Sequence, residues 1–284
     1  MKTLQKHAHD LKRFGFTPSK WRLRFSKDGA PVVLANSIPK SGTHLLESLL
    51  VSHPLLYRKL IPTQHMGNLP GRKGGLGGVL DKAGPGVVIV AHLRHHAEWE
   101  ELLRERRIAH LLMVRDPRDV AVSGVHYICK NKHHHLNRTF ADLPDFRARL
   151  KLFLEGSRAK NVPSLEDRFS VYLPWLATPC LVVRFEDLVG SGGGGDDHVQ
   201  RKTVARVFRH LNLDLSEEEV SRLATRTFST ASPTYRKGRI QQWRESFDDE
   251  LKAMCHVRVG HVIEAFGYSS QVLDATGSAR DPVT

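Results

Sequence analysis

Apolar residues in this chain gather in short β-branched runs that are separated by helical patterns. Runs of this kind at 31–35, 87–91, 110–114 and 180–185 are typical of strands that are buried on both faces of a sheet. After the first run, four leucines recur at helical spacing, with Glu47 on the side turned away from them. The alternation of strands and helices predicts an α/β fold in which helices flank a mostly parallel sheet.

The length of the chain predicts a single domain. A chain of 284 residues can bury one full α/β core. We expect this domain to span 31–270, with an N-terminal extension at 1–30 packed on it and a flexible tail at 271–284. No apolar stretch approaches the length that crosses a bilayer, and the three cysteines lie far apart, as in proteins that keep reduced thiols. We therefore expect a cytoplasmic protein without a membrane span.

The formal net charge of +13 favours anionic partners. Nucleic acid is one such partner, but the chain has few aromatic residues and no recognisable nucleic-acid-binding signature. Three consecutive histidines at 133–135 cannot bring all their rings to one ion, and no cysteine or aspartate joins them at ligand spacing. We therefore expect neither a nucleic-acid partner nor a metal site.

The turn at 37–44 joins the first predicted strand to the leucine-rich helix, and it reads Ser-Ile-Pro-Lys-Ser-Gly-Thr-His. A strand, a turn with a lysine and hydroxyls, and a helix N-terminus together present backbone N–H groups to an anion. Because Lys40 comes before Gly42, the order is not that of a Walker A loop. The turn resembles the 5′-phosphosulfate loop of sulfotransferases that use 3′-phosphoadenosine 5′-phosphosulfate (PAPS). The resemblance implies donor contacts from Lys40, Ser41, Gly42, Thr43, His44 and Leu45.

A second candidate phosphate site follows the strand at 110–114. Asp116 is a favourable N-cap, so a helix is expected to begin directly after it. Arg115 then lies at the end of the strand and Ser123 lies on the helix, where a guanidinium and a hydroxyl can hold one phosphate. PAPS sulfotransferases use an Arg and a Ser at this same separation for the 3′-phosphate. The alternative is that Arg115 only pairs with Asp119 across the start of the helix.

The third motif is Arg236-Lys237-Gly238, with Trp243 five residues after the glycine. In the family that the chain resembles, an Arg-Lys-Gly loop closes over the 3′-phosphate and a Trp stands at this distance. The Gly-Asp pair that usually precedes this Trp is replaced here by Gln241-Gln242. Earlier in the chain, Thr227-Phe228 matches a Ser-Phe pair that contacts the nucleotide, although Phe228 suits a core position equally well.

His92 is the candidate catalytic base. It follows the strand at 87–91, so we expect it at the carboxyl edge of the sheet, where open α/β folds bind their ligands. Family members have a His at the end of this strand that acts as general base on the acceptor hydroxyl, and the resemblance assigns that role to His92. A lysine that often stands two residues earlier is Val90 here. His95, His96 and a carboxylate are the other candidates for the base.

The resemblance implies a P-loop-NTPase-like sulfotransferase fold and transfer of the sulfuryl group of PAPS to a hydroxyl or amine by in-line displacement. Lys40 would stabilise the developing charge, and no metal is required because protein cations neutralise the donor. The acceptor would be a small molecule or a glycan, bound by a mobile glycine-rich loop at 66–86 and by residues 128–163. A homodimer is compatible with this assignment. Two other classes stay open: a P-loop nucleotide kinase or phosphotransferase, and a basic protein that binds nucleic acid or heparin.

Overall fold

The computed structural model describes residues 29–58, 63–65, 69, 74–227 and 238–269. The chain divides into two compact units. The first unit comprises Met1–Val114 and Pro174–Ile240, and the second comprises Arg115–Leu173 and Gln241–Thr284. The N-terminal extension before residue 29 and the tail at 271–284 lie outside the described residues, so the domain boundaries stay predictions.

Strands and helices alternate along the described residues. The strands are β1 (Val33–Ser37), β2 (Tyr57–Arg58), β3 (Gln64–His65), β4 (Val87–His92), β5 (Ala109–Val114) and β6 (Leu181–Arg184). The α-helices are α1 (Thr43–Ser52), α2 (Gly75–Leu80), α3 (Ala97–Glu105), α4 (Pro117–Lys130), α5 (Asn137–Ala141), α6 (Phe146–Glu155), α7 (Leu165–Phe169), α8 (Phe185–Leu188), α9 (Asp197–His210), α10 (Glu217–Thr227), α11 (Trp243–Ser246) and α12 (Asp249–Ala265). Single 3₁₀ segments lie at Ser170–Ala177 and Ser191–Gly193.

The strands of the first unit form one sheet in which every pairing is parallel. Their order is β2-β4-β1-β5-β6, and β3 also pairs with β4. The central strands β1, β4 and β5 are buried along almost their whole length, as their apolar runs predict. The predicted α/β fold with a mostly parallel sheet is confirmed.

Helix α1 packs its leucines into the core of the first unit. Leu46, Leu49 and Leu50 share a buried cluster with the apolar face of α9. Burying such a side chain contributes about 1.5–3 kcal/mol. The expectation that Glu47 lies on the outer face is wrong, because its side chain is only 2% exposed. Arg58 of β2 provides a buried charged partner that the helical pattern alone does not reveal.

Part of the expected glycine-rich loop is a helix. Helix α2 occupies Gly75–Leu80, and it buries Leu76, Val79 and Leu80. These three side chains share one helical face, so their burial offsets the roughly 1 kcal/mol that each internal glycine costs a helix. Gly74 and Gly75 have positive φ at the start of the helix, where glycine is favoured.

The named elements in the described part of the second unit are helices. Helices α4 and α6 approach closely at Gly124, where an added Cβ would lie 2.6 Å from the ring of Phe153. At the start of α12, the carboxylate of Glu250 pairs with both Arg147 and Lys151 of α6. None of the helices in the described parts of the chain is long and apolar enough to cross a membrane.

Candidate functional site

The loop between β1 and α1 begins with a tight turn. The Ser41 amide donates to the Ile38 carbonyl at 3.1 Å, so Pro39 and Lys40 occupy the two central positions. Lys40 has φ 73°, in the left-handed region that a type II turn requires at its third residue and that normally selects glycine. A lysine held there stores backbone strain of the kind found at functional sites. Lys40 lies directly before the start of α1, and its role toward the donor stays a prediction.

Gly42 begins helix α1 as its N-cap, with φ 103°. An added Cβ would lie 2.6 Å from the ring of Phe185 and 2.9 Å from the methyl of Met113, so any other residue would clash. Glycine brings no side-chain acceptor to the start of the helix, where backbone N–H groups and the helix dipole favour an anion. Beside it, the fully buried Ser41 hydroxyl has no hydrogen-bond partner among the described residues. The loop therefore has the features of an oxyanion cradle.

His92 ends strand β4 beside this loop. Its Nδ1 lies 2.8 Å from the backbone carbonyl of Ser37, and a carbonyl oxygen only accepts. The hydrogen bond therefore places the proton on Nδ1 and leaves Nε2 as the acceptor atom of a neutral ring. The Ser37 hydroxyl lies 3.1 Å from the same Nδ1 and 2.8 Å from the Thr43 hydroxyl. Ser37 thus connects the candidate base directly to the first residue of α1.

The charges around His92 favour its neutral form. Burial lowers the pKa of His92, and the hydrogen bond to Ser37 opposes this only in part. Positive charge on His65, His44 and Lys40 lowers the pKa further. A neutral imidazole with a defined acceptor nitrogen is what a general base near neutral pH requires.

The other two candidate histidines, His95 and His96, have different surroundings. The Nε2 atom of His95 lies 2.8 Å from a carboxylate oxygen of Glu100, and its ring packs edge-on against Trp175. His96 is the N-cap residue of α3, with more than half of its side chain exposed. Val90 is buried in the core, so it brings no cation where many family members have a lysine. Of the three histidines, His92 has the geometry that best suits a base.

Three residues near the loop were not predicted as part of the site: Glu47, Arg58 and His65. Glu47 accepts from Arg58 at 2.5 Å on one oxygen and contacts Nδ1 of His44 at 3.1 Å on the other. Burial raises the pKa of Glu47, but its bonds to His44 and Arg58 outweigh this and hold the pKa below its usual value. His65 is the cross-strand partner of His92 in the β3–β4 register. The three-residue spacing of His44 and Glu47 was a usable signal, whereas nothing local points to Arg58 or His65.

In the second unit, Arg115 and Asp119 do form the ion pair that the sequence left as an alternative. Their side chains are 7% and 0% exposed, and Nη2 of Arg115 lies 3.3 Å from Oδ2 of Asp119. The predicted N-cap is also present, because Asp116 accepts from the Arg118 amide at 2.9 Å. Ser123 lies half-buried on α4. The ion pair orients Arg115 and is compatible with a further anionic ligand on the same guanidinium.

The third motif falls partly outside the described residues, which do not include Phe228, Arg236 or Lys237. Gly238 is described and has φ 57°. Thr227 ends α10 almost fully buried, and its hydroxyl donates to the Leu223 carbonyl at 2.7 Å. Gln241 has φ 59°, so it keeps the left-handed backbone at a position where the family usually has glycine. The assignment of these residues to the nucleotide stays a prediction.

Comparison with known proteins supports the same class of enzyme. A family model described as a sulfotransferase domain matches residues 80–264, more than half of the chain. The fold is similar to that of mouse sulfotransferase SULT7A1 complexed with PAP, with a TM-score of 0.61, 18% identity, and coverage of 89% of this chain and 94% of that one. It is also similar to retinol dehydratase in complex with androsterone and inactive cofactor PAP, with a TM-score of 0.53, 18% identity, and coverage of 87% and 85%. No curated protein sequence matches the chain. Because the family model matches more than half of the chain, the chain belongs to the sulfotransferase family.

Proposed function

We propose that this protein transfers the sulfuryl group of PAPS to a hydroxyl acceptor, with His92 as the general base and Lys40 as the main cation of the donor loop. The observation that carries the proposal is the hydrogen bond from Nδ1 of His92 to the Ser37 carbonyl. It leaves Nε2 as the acceptor nitrogen of a base that lies beside an oxyanion cradle. The family membership supports this reaction over the kinase and the polyanion-binding alternatives.

In the proposed reaction, an acceptor oxygen attacks the sulfur in line as the bond from sulfur to the bridging phosphate oxygen breaks. The acceptor proton passes to Nε2 of His92, and adenosine 3′,5′-bisphosphate (PAP) leaves with the bridging oxygen. The loop contributes positioning and charge. Lys40 faces the growing negative charge on the donor. The backbone donors at the start of α1 are contributed by the loop residues Ser41, Gly42, Thr43, His44 and Leu45. The strained turn presets these groups before the donor binds.

The remaining nucleotide contacts are proposed from the resemblance. Arg115 and Ser123 would hold the 3′-phosphate, and Arg236-Lys237-Gly238 would close over it. Thr227-Phe228 would contact the nucleotide. The acceptor is a small molecule or a glycan that carries a hydroxyl or an amine. A cytoplasmic location and a homodimer belong to the same proposal.

The test is transfer of labelled sulfate from PAPS to a panel of phenols, sterols, sugars and peptides. We expect transfer to at least one acceptor, and a loss of about 10²–10⁴-fold in turnover in His92→Ala. PAP should bind His92→Ala nearly as tightly as the native protein, which separates a lost base from a lost fold. Val90→Ala changes a buried residue two positions before His92 in the same strand, and it serves as the control for damage to β4. A preference for ATP with magnesium would point to the kinase, and affinity that grows with polyanion length would point to the binding protein.

A further inference from the structure

Asp119 is a buried carboxylate of the second unit, and both of its oxygens accept hydrogen bonds. Its side chain is 0% exposed and lies in the first turn of α4. One oxygen, Oδ2, accepts from the Gln241 amide at 2.8 Å and lies 3.3 Å from Nη2 of Arg115. The other oxygen, Oδ1, accepts from the Trp243 amide at 3.0 Å. A single carboxylate therefore joins a guanidinium to two amides that are more than one hundred residues away in the sequence.

The two amides belong to the segment that directly follows Gly238. Gln241 turns through the left-handed region with φ 59°, and this conformation directs its N–H toward Asp119. Trp243 then starts helix α11 with its ring buried under the guanidinium of Arg118, 4.0 Å from the ring centroid. The segment is thus fastened at a defined point to the same carboxylate that orients Arg115.

We propose that Asp119 is a positioning residue for the 3′-phosphate of the donor, acting through Arg115 and through the backbone at Gln241 and Trp243. This inference rests on the proposed function. The carboxylate fixes the direction of the Arg115 guanidinium and anchors the backbone at Gln241 and Trp243. Asp119 itself does not touch the phosphate, since two anions would repel each other.

Removal of the negative charge of Asp119 has two opposing effects on binding of the 3′-phosphate, and we expect the unfavourable one to dominate. Without the carboxylate, the net positive charge near Arg115 rises, which favours phosphate binding. However, an amide in place of the carboxylate turns an N–H₂ group toward at least one of its three donors, so Arg115 or the 241–243 backbone loses its anchor. Loss of a charge-assisted hydrogen bond of this kind corresponds to roughly a 10–100-fold loss in affinity.

Asp116 provides a matched control on the same helix start. It is also buried and also pairs with an arginine, with Nη2 of Arg118 lying 2.7 Å from its Oδ2. Asp116 accepts from the Arg118 amide, and it is linked to Trp243 through the Arg118 guanidinium over the ring, not through the Gln241 and Trp243 amides that bind Asp119. Asp116→Asn should therefore lower stability without a specific effect on the 3′-phosphate.

The experiment compares the affinities of PAP and adenosine 5′-monophosphate, which differ only in the 3′-phosphate, by calorimetry. In Asp119→Asn we expect PAP to bind roughly 10–100-fold more weakly, while the monophosphate changes by less than about 3-fold. In Asp116→Asn the ratio of the two affinities should stay at the native value. Hydrogen exchange of the Gln241 and Trp243 amides gives a second readout in the native protein, where PAP should protect them more than the monophosphate does.

Several results would overturn the inference. Equal losses for both ligands in Asp119→Asn would make Asp119 merely structural, and tighter PAP binding would mean that it only offsets charge. If Asp119→Asn does not fold, equal protection of the two amides by both ligands in the native protein would exclude the proposed link. A native protein that binds PAP no more tightly than the monophosphate would instead contradict the proposed function, and with it this inference.

Discussion

Replacement of Lys40 by glycine should stabilise the protein while it removes most of the activity. Lys40 holds φ 73° at the third position of the Ile38–Ser41 turn. An L-residue in the left-handed region costs roughly 1–2 kcal/mol, and glycine avoids this cost. The extra freedom of glycine in the unfolded chain offsets about 0.5–1 kcal/mol of the gain. The net effect should be a rise of up to about 1.5 kcal/mol in the free energy of unfolding.

Under the proposed mechanism, the same substitution removes the main cation of the donor loop. Loss of one preorganised charge-stabilising donor lowers turnover by about 10²–10³-fold. Lys40→Gly therefore should raise stability and lower activity together. This combination is expected where a strained backbone is retained for function rather than for the fold.

Urea unfolding and sulfate-transfer rates measure the two effects. Lys40→Ala is the matched variant, since it also loses the cation but keeps a Cβ in the left-handed region, so Lys40→Gly should exceed it in stability by about 1 kcal/mol. Arg107→Gly is the positional control, because Arg107 is an exposed residue with φ 51° after α3. It should gain stability without loss of turnover. If Lys40→Gly is no more stable than Lys40→Ala, the strain argument is wrong, and native turnover in both variants would remove Lys40 from the mechanism.

Three further predictions concern the core around the site. Burial, followed by positive charge on nearby histidines, lowers the pKa of His110 from 6.5 to about 3. As the pH drops below 6.5, the unfolded chain binds a proton at His110 and the folded protein does not, so the free energy of unfolding falls. This loss amounts to about 2 kcal/mol at pH 5, and urea unfolding at pH 7 and pH 5 should show it in the native protein but not in His110→Phe; equal pH dependence in the two would refute it. Gly42→Ala should cost about 2–4 kcal/mol in unfolding free energy through strain and its clash with Phe185, and a cost near zero would mean that the ring moves aside freely. Glu47→Gln should cost about 3 kcal/mol by leaving Arg58 buried without its carboxylate, whereas the double variant with Arg58→Met should recover most of that loss in the same assay.

Sequence reasoning succeeded where the determinants are local. The central strands are continuous apolar runs, and such runs form buried parallel strands in almost any α/β context. The turn from Pro39 to Gly42 and the N-cap at Asp116 depend on residues within three positions of one another. The presence of this turn and of this N-cap follows from local side-chain chemistry, so both could be predicted from the sequence, although the left-handed backbone of Lys40 could not.

Sequence reasoning failed where a distant partner decides the outcome. The helical pattern turned Glu47 outward, but an arginine eleven residues away makes its burial favourable. The glycines at 74–80 suggested a loop, yet three apolar side chains on one face hold a helix there. At the glycines, packing outweighs a local preference of about 1 kcal/mol per residue, and at Glu47 the ion pair compensates the desolvation of a buried charge.

The sequence by itself predicted the strands, the turn that joins β1 to α1 and the candidate base His92, whereas the left-handed backbone of Lys40 came from the structure. Only the tertiary structure decided which nitrogen of His92 carries the proton, because the Ser37 carbonyl that orients it lies fifty-five residues away. It likewise decided that His65 stands beside His92 and that Asp119 binds the backbone at Gln241. These contacts join segments that no periodicity or short motif connects, since strand register and helix packing bring them together only when the apolar surfaces of the whole chain are buried.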